Sequence, residues 1–369
     1  MTAIRTKEPY LHSLDLLRGF AALSVCLYHT GFMLKPGFHL LPGGYLCVDM
    51  FFLLSGFVIA RTYDPRIAAG MKVGAFCAQR LARLYPLFWA TTLAGFAVVM
   101  AKLYQDHHVL DSKPALLTLF GNLLLIPNFL KPYGLDSLFP FNGATWSIFF
   151  EFYVNVLFFF CWPLLSTRRL CSVVGLAGIL LIAAASQKHS LDIGDKTADL
   201  IVAIPRVLFS FFLGVLICRS GLKGRRRYGV WPSLVGLGIV LLAICMRDTV
   251  PTSMVWLLDI CIVVFVFPVT LIAFTKMQFP GYHARVSAFL GNISYAVYLL
   301  QTPLMILYAG LPQIFLREKI AALTPWAGMV FLPAIVAIAF LVWKYFEVPA
   351  KHAVRQWHAA LVETSRGAA

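Results

Sequence analysis

Long apolar runs alternate with short polar ones along the whole chain. Ten stand out, at 14–34, 44–62, 84–103, 145–165, 171–186, 200–218, 230–246, 253–275, 290–309 and 326–346. Runs of roughly 20 apolar residues predict membrane-spanning helices, because a helix satisfies its own backbone in hydrocarbon; a barrel needs short alternating segments instead. A further apolar stretch, Ala115 to Leu130, is broken by Asn122, Pro127 and Asn128 and predicts a re-entrant or interfacial segment. No fixed-period repeat is visible. The expected fold is all-α: a polytopic bundle of about ten transmembrane helices, with a tail over 1–10, a membrane domain over 11–350 and a second tail over 351–369.

Composition agrees. Sixty per cent of the residues are hydrophobic and the mean hydropathy is +0.80, which excludes a soluble globule. The net charge of +15 looks at first like a nucleic-acid signature. Alternating sides through ten helices from a cytoplasmic N-terminus places the basic excess on the cytoplasmic side, with both termini there. The positive-inside rule then explains the charge, and no nucleic acid is called for. The first run is too long for a cleavable signal, carries Arg18 and lacks a small-residue cleavage pattern, so a retained helix is expected. All eight cysteines but Cys77 fall in expected helices without CxxC or Cys/His spacing. They read as buried thiols, with no metal site.

Polar residues inside the apolar runs carry the candidate chemistry, since ionisable groups in hydrocarbon are costly. Arg18 and His29 are eleven residues apart. They share one helical face, with His29 about 16 Å further along. A cation near one surface suits an anion, and an imidazole at depth suits a proton; a snorkelling arginine and a core histidine are the bland reading. On the second run Asp49 lies near the outer end, and Ser55-Gly56 makes a thin place for a helix or a ligand chain. Arg80 and Arg83, at i and i+3, present two guanidinium forks suited to a phosphate or pyrophosphate, or act as a topology anchor. Trp146 and Ser147 open the fourth run, where Ser147, Glu151 and Asn155 form a polar stripe; Glu151 could orient an imidazole, bind a substrate hydroxyl or form a structural pair with Arg206 or another cation. Tyr295, Tyr298 and Gln301 mark the ninth, and Pro349 the exit of the tenth. At 1.5 Å per residue, His29, Asp49, Glu151, Arg206 and Asp259 all lie about 7–10 Å from the outer ends, and Gln301 about 12 Å, as if lining one hydrated cavity. The long outer loop 104–144, with His107 and His108, is expected to shape which ligand binds at the outer face.

Five motifs in order resemble the acyltransferase-3 family of membrane acyltransferases. They are Leu14-Asp15-Leu16-Leu17-Arg18-Gly19 with Tyr28-His29; Phe51-Phe52-Leu53-Leu54-Ser55-Gly56-Phe57; Arg80-Leu81-Ala82-Arg83-Leu84-Tyr85-Pro86; Trp146-Ser147 through Glu151; and Ser294-Tyr295-Ala296-Val297-Tyr298-Leu299. The match runs from about residue 11 to 350. The resemblance implies a multi-pass protein of the bacterial inner membrane that moves an acyl group, commonly acetyl, from cytoplasmic acyl-CoA to a hydroxyl of a cell-surface or lipid-linked carbohydrate. No bound cofactor is implied; acyl-CoA is a co-substrate. The family's arginine–histidine pair falls on Arg18 and His29, and its twin arginines on Arg80 and Arg83. Where the family often has a second histidine, this chain has Gln301.

The expected mechanism follows. Arg18, Arg80 and Arg83 hold the phosphates of acyl-CoA, and the pantetheine arm threads between the first two helices past Gly56. His29 takes the acceptor's proton, with Glu151 orienting it or holding the acceptor. Asp49, Ser55, Trp146, Tyr295, Tyr298 and Gln301 are candidate pocket residues. Two rivals fit the same residues: an exporter of a sugar or glycolipid without chemistry, and a structural partner in a glycan-assembly complex. The sequence leaves the acceptor, the acyl length and the oligomeric state open.

Overall fold

The computed structural model describes residues 10–106, 112–221, 229–354 and 356. Most of both expected tails, His107, His108 and the Arg225-Arg226-Arg227 run lie outside the described residues. Among those described, ten helices are long and apolar enough to cross a membrane. They are α1 (His12–Met33), α2 (Gly44–Ala68), α3 (Val73–Gln105), α5 (Thr145–Leu164), α6 (Thr167–Lys188), α7 (Thr197–Arg219), α8 (Trp231–Thr249), α9 (Thr252–Thr275), α10 (Gly281–Phe315) and α11 (Trp326–Val354). A short helix α4 (Ser112–Leu123) lies between α3 and α5 and is too short to cross. The broken apolar stretch therefore does not span, as its interior Asn and Pro residues require. Leu125 takes a left-handed φ of 57°, and Asn122 and Asn128 bond loop carbonyls there.

Two helices outrun their apolar segments. α3 has 33 residues and α10 has 35, because helix propensity carries each past its hydrocarbon-length core. On α3 the extension holds Arg80 and Arg83. α11 does not end at Pro349 but continues to Val354 through a π-type turn over Trp343–Glu347. A second such turn, Ile262–Val266, precedes Pro268 on α9. In both, the π turn ends two residues before the proline. A proline ring crowds the preceding turn and leaves a carbonyl without its donor, and widening that turn relieves both.

The bundle centre is built by close pairs. A Cβ on Gly56 of α2 would sit 1.9 Å from the Phe211 carbonyl oxygen of α7, and one on Gly214 of α7 would sit 2.1 Å from the Leu53 oxygen. Gly56 is thus consumed by helix packing and is not a ligand passage, correcting the expected route. Gly19 and Gly291 make the same kind of contact between α1 and α10. Gly56→Ala should lower stability by about 1–3 kcal/mol. A fall in thermal midpoint in detergent would register this; an unchanged midpoint would mean that α7 gives way easily.

The cysteine expectation is corrected in part. Cys26, Cys47 and Cys218 are buried, whereas Cys171 and Cys261 are exposed on the outside of the bundle. None of the eight is in a disulfide. An exposed apolar-like thiol carries no penalty where the surroundings are lipid.

Candidate active site

Two cavities approach each other from opposite faces of the bundle. The first face is where α1 begins. There the end of α2 (Thr62, Tyr63, Arg66), the start of α3 (Gln79, Arg80, Arg83) and Val354 of α11 line a pocket of about 510 Å³. Arg80 and Arg83, with Val58 and Ile59, also line a narrow slot of about 80 Å³ that runs inward from it. Arg18, Ser55, Ser147, Glu151, Tyr295 and Tyr298 complete that slot. The opposite face carries a cleft of about 430 Å³. Its walls include Tyr28, His29, His39, Trp146, Asp192, Asp195, Lys196, Arg206, Tyr298 and Gln301. Tyr298 is the one residue common to slot and cleft among those described. Its hydroxyl shares a 2.8 Å hydrogen bond with Ser147, and its ring meets Phe51 edge-on. The two cavities thus meet at Tyr298.

The slot is cationic at its mouth. Arg18 is partly open and lies 3.4 Å from Asp15. Arg83 is exposed. Arg80 differs from the expected free fork: it is buried, and its Nη2 donates to Glu151 at 2.8 Å. Ser55 donates to the same carboxylate at 3.1 Å. Glu151 therefore belongs with Arg80 in the slot and does not reach His29. A buried guanidinium needs an anion, and Glu151 on α5, itself only partly exposed, meets the arginine that the α3 extension carries inward. Tyr295 donates to the Leu84 carbonyl at 2.7 Å and forms part of the slot wall.

In the cleft, His29 is exposed to the open space rather than buried. Its ring packs edge-on against Tyr28, centroids 5.0 Å apart. Tyr28 in turn donates to Asp192 at 2.6 Å and stacks on His39, 5.0 Å away at 20°. The Tyr28 ring is thus fixed on two sides and holds the imidazole at the cleft wall.

The expected single polar layer resolves into separate clusters. Asp49 lines neither cavity; it is buried with Arg206, which donates to it from Nε at 2.9 Å and Nη2 at 2.7 Å. Arg206 also donates to the carbonyls of Ile193 and Tyr45, and lies over the Trp146 ring at 5.4 Å. Asp259 accepts from the Tyr45 hydroxyl and the Leu191 amide, both at 2.8 Å. These buried acids share a depth, as counted from the sequence, but face different neighbours. Counting residues gives depth and not azimuth between helices, so the ring of groups did not close.

Both clusters fasten one loop, 189–196, between α6 and α7. The Leu138 amide donates to the Asp195 carbonyl at 2.7 Å, and Thr197 to Asp136 at 3.0 Å. That loop brings charged groups to the cleft: among the described residues Asp192, Asp195 and Lys196 line it, and Gly143 and Ala144 line it from the longer loop. Desolvation in the cleft, then the Asp192 carboxylate, push the Asp195 carboxyl above its ordinary range. Asp192, Asp195, Lys196 and His39 escaped the sequence reading. A signal was present in Asp192-Ile193-Gly194-Asp195-Lys196, a charged cluster between two apolar runs. Tyr63 and Arg66, one turn apart at the end of α2, both donate to Gln79.

Residues 11–344 match the family of acyltransferase domains that the motifs resemble. The chain belongs to the acyltransferase-3 family. It is similar to Protein 2 in the picA locus of Rhizobium radiobacter, 31% identical over 189 residues, covering 47% of this chain and 94% of that protein. It also resembles a candidate acetyltransferase, ORF330, of Acidianus two-tailed virus, 26% identical over 286 residues, or 77% of this chain and 80% of the relative. A third relative is a candidate peptidoglycan O-acetyltransferase, YrhL, of Bacillus subtilis, 33% identical over 105 residues, 28% of this chain and 15% of that longer protein. No solved structure matches the chain. The protein is an acyltransferase with the helices of a multi-pass membrane protein. Among the described residues no group of three or more His, Cys, Asp and Glu side chains is arranged to hold a metal.

Proposed function

We propose that this acyltransferase carries an acetyl or other short acyl group from acyl-CoA, bound at the face where α1 begins, to a hydroxyl of a cell-surface or lipid-linked carbohydrate at the opposite face. The first face is then cytoplasmic and the membrane is the bacterial inner membrane, in keeping with the positive-inside charge pattern. The observation that carries this reading is the pair of cavities meeting at Tyr298, one with arginines at its mouth and the other with His29 on its wall.

Arg18 and Arg83 meet the diphosphate of the donor, while Arg80, already paired with Glu151, adds positive potential and keeps the slot in shape. Arg66 and Gln79 stand in the wider pocket where the nucleotide end would rest. The slender pantetheine arm follows the slot along α1, α2, α3, α5 and α10. Its thioester passes Tyr298 and enters the cleft. There His29 accepts the proton of the acceptor hydroxyl as the oxygen attacks the carbonyl carbon. The proton then goes to the departing thiolate. The flat Tyr28–His39 stack and the Asp192 and Asp195 carboxylates suit a sugar, which offers an apolar ring face and several hydroxyl donors.

Arg83→Ala should raise the KM for acetyl-CoA about ten- to hundredfold, the worth of one charge-assisted hydrogen bond, with kcat nearly unchanged. Steady-state thiol release by purified protein in detergent measures both constants. Transport of a sugar without any thiol release would favour the exporter instead.

A further inference from the structure

Gln301 is left over once these roles are assigned. It is 1% exposed, yet it lines the His29 cleft. Its Oε1 has no hydrogen-bond partner among the described residues. A buried carboxamide without a partner costs stability, and a leucine or methionine would fill the same space more cheaply. An amide held this way in a cavity wall is ready for a ligand. Rotation about its last side-chain torsion exchanges the C=O and NH₂ ends, so it offers either an acceptor or two donors.

Its place on α10 says what arrives there. Tyr298, Gln301, Thr302 and Met305 all line the cleft, at i, i+3, i+4 and i+7 of one helical face. Gln301 is about 4.5 Å further along the axis than Tyr298, the residue that divides slot from cleft. A carbonyl group entering past Tyr298 therefore meets Gln301 first, with His29 on the wall of the same cleft.

We infer that Gln301 is a further catalytic residue, an N–H donor to the acyl carbonyl oxygen in the transition state. This rests on the acyl-transfer reading above. As the acceptor oxygen bonds to the thioester carbon, the carbonyl π electrons move to its oxygen, and the hydroxyl proton goes to His29. The Gln301 amide stabilises the oxyanion. Re-formation of the C=O bond expels the thiolate, which takes the proton from His29, leaving ester and thiol. The group is neutral throughout, so it supplies stabilisation without a proton of its own.

The test is acetyl-CoA turnover by detergent-purified protein, with water and with solubilised peptidoglycan fragments as acceptors, for wild type, Gln301→Ala, Gln301→His and Gln301→Glu. Alanine should lower kcat about 10²- to 10³-fold, as loss of one oxyanion donor does, with little change in the KM for acetyl-CoA. Histidine, which keeps an N–H, should restore most of it. Glutamate should be as poor as alanine at pH 8, but its activity relative to wild type should rise as pH falls, because only the protonated acid can donate. Elution as a single species and an unchanged thermal midpoint identify folded variants; if alanine misfolds, the histidine and glutamate pair decides. An alanine variant within about threefold of wild type, a loss wholly in KM, or a glutamate-to-wild-type ratio independent of pH would overturn the assignment. A wild-type protein inert toward acetyl-CoA would instead sink the acyl-transfer reading itself, and this role with it.

Discussion

Replacing His29 with alanine should lower acyl transfer by about 10²- to 10⁴-fold while the protein still folds and inserts, since general-base help is worth that much. The structure supports a clean outcome. The imidazole is open to the cleft and hydrogen-bonds none of the described residues, so its removal leaves the bundle intact. His29→Gln keeps the side-chain bulk and a hydrogen-bonding end but no proton acceptor of useful basicity, and should be nearly as inactive. The donor KM should change little, because the arginine cluster is about 16 Å away along the helix. Rates of thiol release and acetyl-ester formation, measured on protein with an unchanged thermal midpoint, check this. Turnover within tenfold of wild type would remove His29 from the chemistry.

The largest stability effect is expected at Arg206. Its guanidinium is 1% exposed and gives five hydrogen bonds, to Asp49, Ile193 and Tyr45. Arg206→Met leaves the Asp49 carboxylate buried without its cation, with Ser210 as its remaining side-chain donor at 3.3 Å. Breaking a buried pair from one side costs about 3–5 kcal/mol. Combining Arg206→Met with Asp49→Leu should recover much of that, because no charge is then stranded. Activity should not return in step with stability. Arg206 also fastens Ile193, and with it the loop that carries Asp192 and Asp195 into the cleft, so the double variant should show a raised KM for the acceptor. Denaturation in micelles gives the first quantity and acceptor titration the second. A single variant as stable as wild type would mean that water reaches Asp49.

The architecture was legible in the chain because hydrocarbon imposes one simple rule. All ten apolar runs became helices long and apolar enough to span, and the Asn- and Pro-broken stretch at 115–130 holds only the end of a 12-residue helix. Several of the residues singled out in or beside those runs come together in space: Arg18, Arg80, Arg83, Ser55, Glu151, Tyr295, Tyr298, Trp146, His29 and Gln301 all line the slot or the cleft. Partnership was not legible. Glu151 could orient His29, hold a substrate hydroxyl or pair with a cation; the pairing with Arg80 depends on how α3 and α5 are turned toward each other. Asp49 looked like a pocket acid, but its partner stands 157 positions later. Gly56 looked equally fit for a ligand or a helix, and the Phe211 backbone took the space. The loop 189–196 was missed for another reason. Its charged residues are ordinary in a loop, and two buried acids elsewhere in the chain decide that they face the cleft.

Sided delivery of the donor is the most direct test of the central claim, that a thioester enters from the arginine face and reacts at the His29 face. Protein reconstituted in vesicles, with its orientation fixed by protease mapping, is given acetyl-labelled acetyl-CoA on one side only. Donor on the α1-start face should be consumed, with free thiol remaining on that side and the labelled acetyl group appearing on acceptor or water in the opposite compartment. Consumption of donor supplied only to the His29 face, or thiol and acetylated product in the same compartment, would contradict it.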